Sequence, residues 1–177
     1  MKTAPVSPVK FFCGLILADM DLLAPAEKAL ADLCGPIDRE FGPVPFDFTD
    51  YYRDEMGERL QRMFVSFGPL ADPGRLCGIK QRTNEIERSL AVETAGKKRR
   101  RVNLDPGYVT AAKLVLATTK DFSHRIYLGN GIYAEVTLNF HRQGCEYHPW
   151  TYPDFKSGRY DSFFLSLREE LLRGAEA

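Results

Sequence analysis

From Asp105 to Glu135 the chain carries Lys113, Lys120, His124 and Arg125, cationic or titratable side chains bracketed by two acids. Ammonium and guanidinium donors match the oxygens of phosphate or carboxylate, so Lys120, Arg125 and, upstream, Lys80 are candidates to receive an anionic group. Asp105, Glu135 and His124 are candidates for proton transfer, and the two acids also have the oxygen chemistry of a divalent-metal site. Thr49, Tyr152 and Asp154 belong to two aromatic loops, FDFTDYYRDEMG and YHPWTYPDF, placed to close over such a site. Each residue also has a plainer role: Asp105 forms a turn, Arg125 and Glu135 make a cross-strand ion pair, Lys120 is a solvated chain. The crowding of Lys120, His124 and Arg125 argues for a site, because Glu135 can neutralise only one of them.

The sequence holds no GxxxxGK[ST] phosphate loop, no GxGxxG turn, no GxSxG elbow and no HExxH helix. TTKD at Thr118–Asp121 is near the guanine-reading NKxD motif, but Phe122 stands where that motif needs aspartate, which disfavours a GTPase. His141, Cys145 and His148 include a Cys-x-x-His spacing without a fourth ligand; they read as loop residues, and no metal or cofactor is assigned. The basic run Lys97–Arg101 lacks interleaved aromatics and reads as an exposed, solvated loop, so nucleic acid is a disfavoured partner.

At 177 residues the chain fits one domain, 1–177, with a core large enough to need no staple. Its net charge of zero gives no general attraction to nucleic acid or an anionic membrane. The longest apolar run, Phe11–Ala18, falls short of the roughly 20 residues that span a bilayer, and no signal-peptide layout precedes it. Cys13, Cys34, Cys77 and Cys145 are irregularly spaced, which favours buried thiols in a reducing cytoplasm. The expected partner is an anionic small molecule rather than a membrane, and no feature sets the oligomeric state.

These residues need elements to hold them. Val9–Ala18 predicts a central strand buried on both faces; Ala26, Leu30 and Leu33 predict a short helix ending at Gly35. Ile37–Phe48, interrupted by Gly42, Pro43 and Pro45, is strand in pieces at an edge, and Gln61–Phe67 alternates as a strand. Asp72 and Pro73 open a helix with Leu76, Ile79, Thr83, Ile86 and Leu90 on one stripe and Lys80, Asn84 and Arg88 on another. Val102–Leu104 predicts a strand, and Asp105-Pro106-Gly107 a turn. Thr110–Thr119 fits helix or strand, with a lean to helix. Arg125–Phe140 is a hairpin with a three-residue glycine loop: Tyr127 faces Tyr133, Arg125 faces Glu135, and Ile132, Ala134, Val136, Leu138 and Phe140 face the core. A last helix carries Phe163 or Phe164, Leu167 and Leu171. The order implies an α/β (α+β) domain: a ferredoxin-like split βαβ sheet extended by the β-hairpin, with helices mainly on one face.

DFTDYYRDEMG, IKQRTNEIE, VNLDPGYVTAAKLVLATTKDFSHRIYL, GIYAEVTL and WTYPDF, in that order, resemble an uncharacterised family of small bacterial and archaeal proteins known as a domain of unknown function. The resemblance runs from about Val9 to the final helix. It implies a one-domain prokaryotic protein and supplies no activity or catalytic residues. Some members carry a GTP-binding label, from which this chain departs at the missing phosphate loop and at Phe122.

Overall fold

The computed structural model describes residues 4–94, 96–142 and 144–175. The first half contains β1 (Val9–Leu17), α1 (Leu23–Cys34), β2 (Ile37–Pro45), α2 (Arg53–Met56), β3 (Gln61–Ala71) and α3 (Leu76–Ser89). The short hairpin β4 (Val92–Thr94) and β5 (Lys97–Arg99) leads to β6 (Val102–Val109) and β7 (Lys113–Thr118). The chain then forms β8 (Ile126–Gly129), β9 (Ile132–His141), β10 (Gly144–Tyr147), α4 (Pro153–Lys156) and α5 (Asp161–Ala175).

β1 is buried along its whole length. Phe11, Cys13, Leu15 and Leu17 enter a core on one face, while Phe12 and Ile16 enter separate apolar clusters on the other. That two-sided burial is why β1 reads as an unbroken apolar run. Around it the strands stand in the order β6-β1-β3-β2, every neighbour antiparallel, as the split βαβ arrangement requires. β7, β9 and β10 extend the sheet beyond β6, and β8 pairs with β9. β2 is an edge strand with two register shifts against β3, in keeping with its glycine and prolines.

α1 and α3 bury Ala26, Leu30, Leu76 and Ile79 in the core on one face. The C-terminal helix covers the other, where Phe163, Phe164 and Leu167 meet Phe12 and Phe64. Phe64 lies at the centre of that cluster, with ring centroids 4.8 Å from Tyr160 and 5.1 Å from Phe164.

Several expectations are corrected. Lys113–Thr118 is strand, not helix: Leu114 and Leu116 enter one core and Val115 and Ala117 the other, a period of two. Thr110 caps a turn, its hydroxyl accepting from the Ala112 and Lys113 amides at 3.1 and 3.0 Å. Asp105-Pro106-Gly107 is no turn but the middle of β6. Gly107 is needed there because a Cβ would sit 2.4 Å from the Val115 carbonyl oxygen. In the hairpin Tyr127 does face Tyr133, but Gly129 rather than Leu128 pairs with Ile132. The loop is therefore the two residues Asn130 and Gly131, at φ 51° and 74°, a left-handed pair suited to Asn-Gly. A register shift opposite Leu114/Val115 skips Thr137, so Leu138 and Phe140 enter the α5-side core while Ile132 and Ala134 enter the α3-side core. In the basic run Lys98 and Arg99 are exposed, but Arg100 and Arg101 are half-buried: Arg100 donates to Glu55 at 2.9 Å and Arg101 to Asp19 at 3.1 Å. Of the thiols, Cys13 alone is buried, and all are free.

Candidate functional site

A sheet edge that parts from its neighbour leaves backbone groups to be satisfied by something else. β6 pairs with β7 only from Gly107 to Val109, so among the described residues its first half has no strand on that side. Two side chains of α3 take the strand's place: Glu87 accepts from the Leu104 amide at 2.7 Å, and the Lys80 ammonium donates to the Leu104 carbonyl at 2.7 Å. Both are buried, so the buried side of α3 takes in Lys80, which the sequence placed on a second stripe, and Glu87, which it placed on neither. The fork between β6 and β7 opens into a cavity of about 630 Å³. α3, the Phe46–Tyr52 segment, the Ala117–Lys120 end of β7 and the Tyr152–Phe155 segment complete its walls.

Arg62 on β3 lines this cavity and is 3% exposed. Its guanidinium lies 4.5 Å from the Phe64 ring centroid and crosses Gly14, where an added Cβ would come within 3.3 Å of it. Asp154 and Asp105 flank it at 3.5 and 3.7 Å, too far for hydrogen bonds, and Nε and Nη1, both covered, have no partner among the described residues. Burial works against the Arg62 charge, but Asp154 and Asp105 outweigh it and hold the pKa above its ordinary value. Burial pushes the Asp154 carboxyl up despite Arg62, and pushes Glu87 up despite Lys80 and the Leu104 amide. Burial also raises the Tyr152 phenol to about 12, with Glu135 acting in the same sense.

Seven of the sequence candidates line the one cavity: Asp105, Glu135, Lys80, Lys120, Thr49, Tyr152 and Asp154. Among its four carboxylates Asp105 is the accessible one, its side chain 28% exposed against 9%, 1% and 6% for Glu87, Glu135 and Asp154. Asp105 Oδ2 accepts from the Asn103 amide at 2.7 Å; Oδ1 has no hydrogen bond among the described residues and lies 3.7 Å from Lys80 Nζ. Lys120 packs over the Tyr51 ring at 3.9 Å.

His124 and Arg125 do not line the cavity; they stand behind Glu135, which accepts from Arg125 Nε at 2.8 Å and faces His124 Nε2 at 3.1 Å. Arg125 also donates to the Lys120 carbonyl and the Tyr152 hydroxyl, at 3.0 and 2.9 Å, and so ties two walls to β9. His124 and His148 both stack on Trp150, with centroids at 5.0 and 4.8 Å.

Sequence reasoning missed Arg62, and a signal was there: Arg62 shares its side of β3 with Phe64, an aromatic that marks that side as buried too. The face Lys80, Asn84, Arg88 was visible as a stripe, and all three side chains line the cavity.

The profile of the family described as "Domain of unknown function (DUF4416)" matches residues 7–171. The chain belongs to that family. No curated protein and no solved structure matches this DUF4416 chain. None of its described helices is long and apolar enough to cross a membrane. Among its described residues no group of three His, Cys, Asp or Glu is placed to hold a metal ion.

Proposed function

We propose that the protein binds, and by way of Asp105 processes, a phosphorylated or otherwise anionic small molecule in the cavity between β6 and β7; nucleotides fall within that class. The observation that carries this reading is the cationic lining of the cavity, in which the buried Arg62 guanidinium stands without a hydrogen bond to either flanking carboxylate. An anion is what ammonium and guanidinium groups accommodate best. Lys120 and Arg88 add exposed charge: among the described residues neither has a carboxylate within ion-pair distance. The volume suits a ligand of metabolite size.

The test is a thermal-shift and calorimetric screen of wild type and Lys120→Ala against phosphate, sugar phosphates, nucleotides and dicarboxylates. A ligand at a hundred times its dissociation constant should add about 2.7 kcal/mol of stability, and Lys120→Ala should weaken binding roughly tenfold, about 1.4 kcal/mol, while melting as wild type does without ligand. If no anion shifts the melting point, the reading is wrong.

One observation favours a second reading, a non-catalytic interaction module: Phe122, Ile126, Tyr127 and Leu128 on and beside β8 are 64%, 71%, 59% and 40% exposed. Contiguous exposed apolar surface marks contact sites. Concentration-dependent association that is lost in Ile126→Glu, together with no effect of any anion, would favour it.

A further inference from the structure

The cavity is polarised from mouth to base, and its polarity specifies more than charge. Arg88 and Lys120 are exposed cations at the mouth, Asn84 is half-buried, and Lys80 is buried against β6. Asn84 and Arg88 are one helical turn apart, about 6 Å along the axis of α3. Among the half-buried groups of the wall, the Asn84 amide, which makes no side-chain hydrogen bond among the described residues, and Asp105 Oδ1 have unused hydrogen-bonding capacity.

From this layout we infer that the ligand is a hydroxyl-bearing phosphomonoester, its phosphate held at the mouth by Lys120 and Arg88 and its hydroxyls by Asp105 Oδ1 and Asn84. The inference rests on the anion-binding reading above and narrows it. Asp105 Oδ1 can only accept, so the ligand must bring a donor to it. An ammonium is a poor candidate, since Lys80 and Arg62 already stand 3.7 Å from this carboxylate and would repel it. A hydroxyl brings the donor without the charge, and a carboxylate is a usual acceptor for sugar hydroxyls. The Asn84 amide both donates and accepts, as a hydroxyl does. Two cations at the mouth match a dianionic phosphate, whereas a single carboxylate would leave one unpaired. Inorganic phosphate alone would leave most of about 630 Å³ unfilled. Tyr51, exposed at the mouth beside Lys120, offers apolar ring surface to either a sugar or a base, so free sugar phosphates and nucleotides share this chemistry.

The experiment is isothermal titration of the full chain with inorganic phosphate, ribose, ribose 5-phosphate, a nucleoside 5′-monophosphate and succinate. At least one of the two hydroxylated esters should bind tenfold or more tighter than both phosphate and ribose, and which of the two does so identifies the source. Asn84→Ala, which removes no side-chain hydrogen bond among the described residues, should erase most of that advantage while leaving the affinity for phosphate itself within about twofold. Asp105→Asn should also shrink the advantage, but by raising the affinity for phosphate itself, because it takes a negative charge out of the cavity. Phosphate binding as tightly as its esters, or succinate binding in their place, would overturn this inference and leave the anion reading standing. Equal ester affinity in wild type and Asn84→Ala would also overturn it. If nothing in the panel binds, both readings fall.

Discussion

The single residue on which most depends is Arg62, and its position is set by an absent side chain. Gly14 faces Phe64 across β1 and β3, and a Cβ there would lie 3.0 Å from Phe64 Cε1 and 3.3 Å from the Arg62 guanidinium carbon. Phe64 is locked among aromatic neighbours, so the arginine has to give way. Gly14→Ala is therefore expected to cost about 1–3 kcal/mol, as overpacking of a filled core does, and to weaken protection by phosphate. Urea unfolding with and without phosphate measures both effects; a variant with unchanged stability and unchanged protection would show that Arg62 is not held by this contact. The same residue shows where sequence reasoning stops. Alternation in RMFVSF tells which side chains share a face, but whether that face is covered depends on α5, about a hundred residues away in sequence. Lys80, Lys120, Asp105 and Glu135 were legible as candidates because charge among apolar runs stands out by type; that Glu135 would be 3% exposed was not.

At the scale of elements, the fork in the sheet makes the site, and α3 makes the fork tolerable. Glu87 and Lys80 supply the hydrogen bonds that β7 does not, so removing one should loosen β6 locally before it unfolds the chain. Glu87→Ala leaves the buried Leu104 amide without an acceptor, which costs about 1–3 kcal/mol. Glu87→Gln keeps an acceptor oxygen and should recover most of that loss. Hydrogen exchange at the Leu104 amide is the direct readout: fast in the alanine variant, slow in wild type and in the glutamine variant. Unchanged protection in Glu87→Ala would mean that something else closes the edge. The split βαβ order, the α3 stripe and the Tyr127–Tyr133 register were readable because each rests on local periodicity or turn chemistry. Three features were not: Lys113–Thr118 as strand, Asp105-Pro106-Gly107 as mid-strand, and the skipped Thr137. Each is decided by pairing with a distant strand, which overrides propensity and turn signals alike.

At the scale of the whole molecule, one charge network joins the central strand, the edge strand and the last helix. Lys10 on β1 is fully buried and bonds Asp38 on β2 and, at 2.9 Å, Glu170 on α5; Glu170 also accepts from Arg39 at 3.0 Å. Burial alone would raise the Asp38 and Glu170 pKa values, but hydrogen bonds from Lys10, with Ser66 at Asp38 and Arg39 at Glu170, hold both below their ordinary range. A carboxyl with a lowered pKa in the fold contributes stability that is present above its unfolded value, near pH 4, and is lost as pH falls through its folded value. Glu87 and Asp154 have the opposite sign: burial raises them, so what they contribute is present in acid and is lost as pH rises through their folded values. Neutral pH therefore favours the Lys10 end of the sheet and strains the pocket end. Asp38→Asn removes one partner of a fully buried ammonium, so the variant should be clearly less stable than wild type at neutral pH. Because protonation does to wild-type Asp38 what the substitution does, the gap between the two should close as pH falls from about 5 to about 2. Urea midpoints across that range decide the matter, and a gap that stayed constant would show that Asp38 acts through packing rather than through its charge on Lys10.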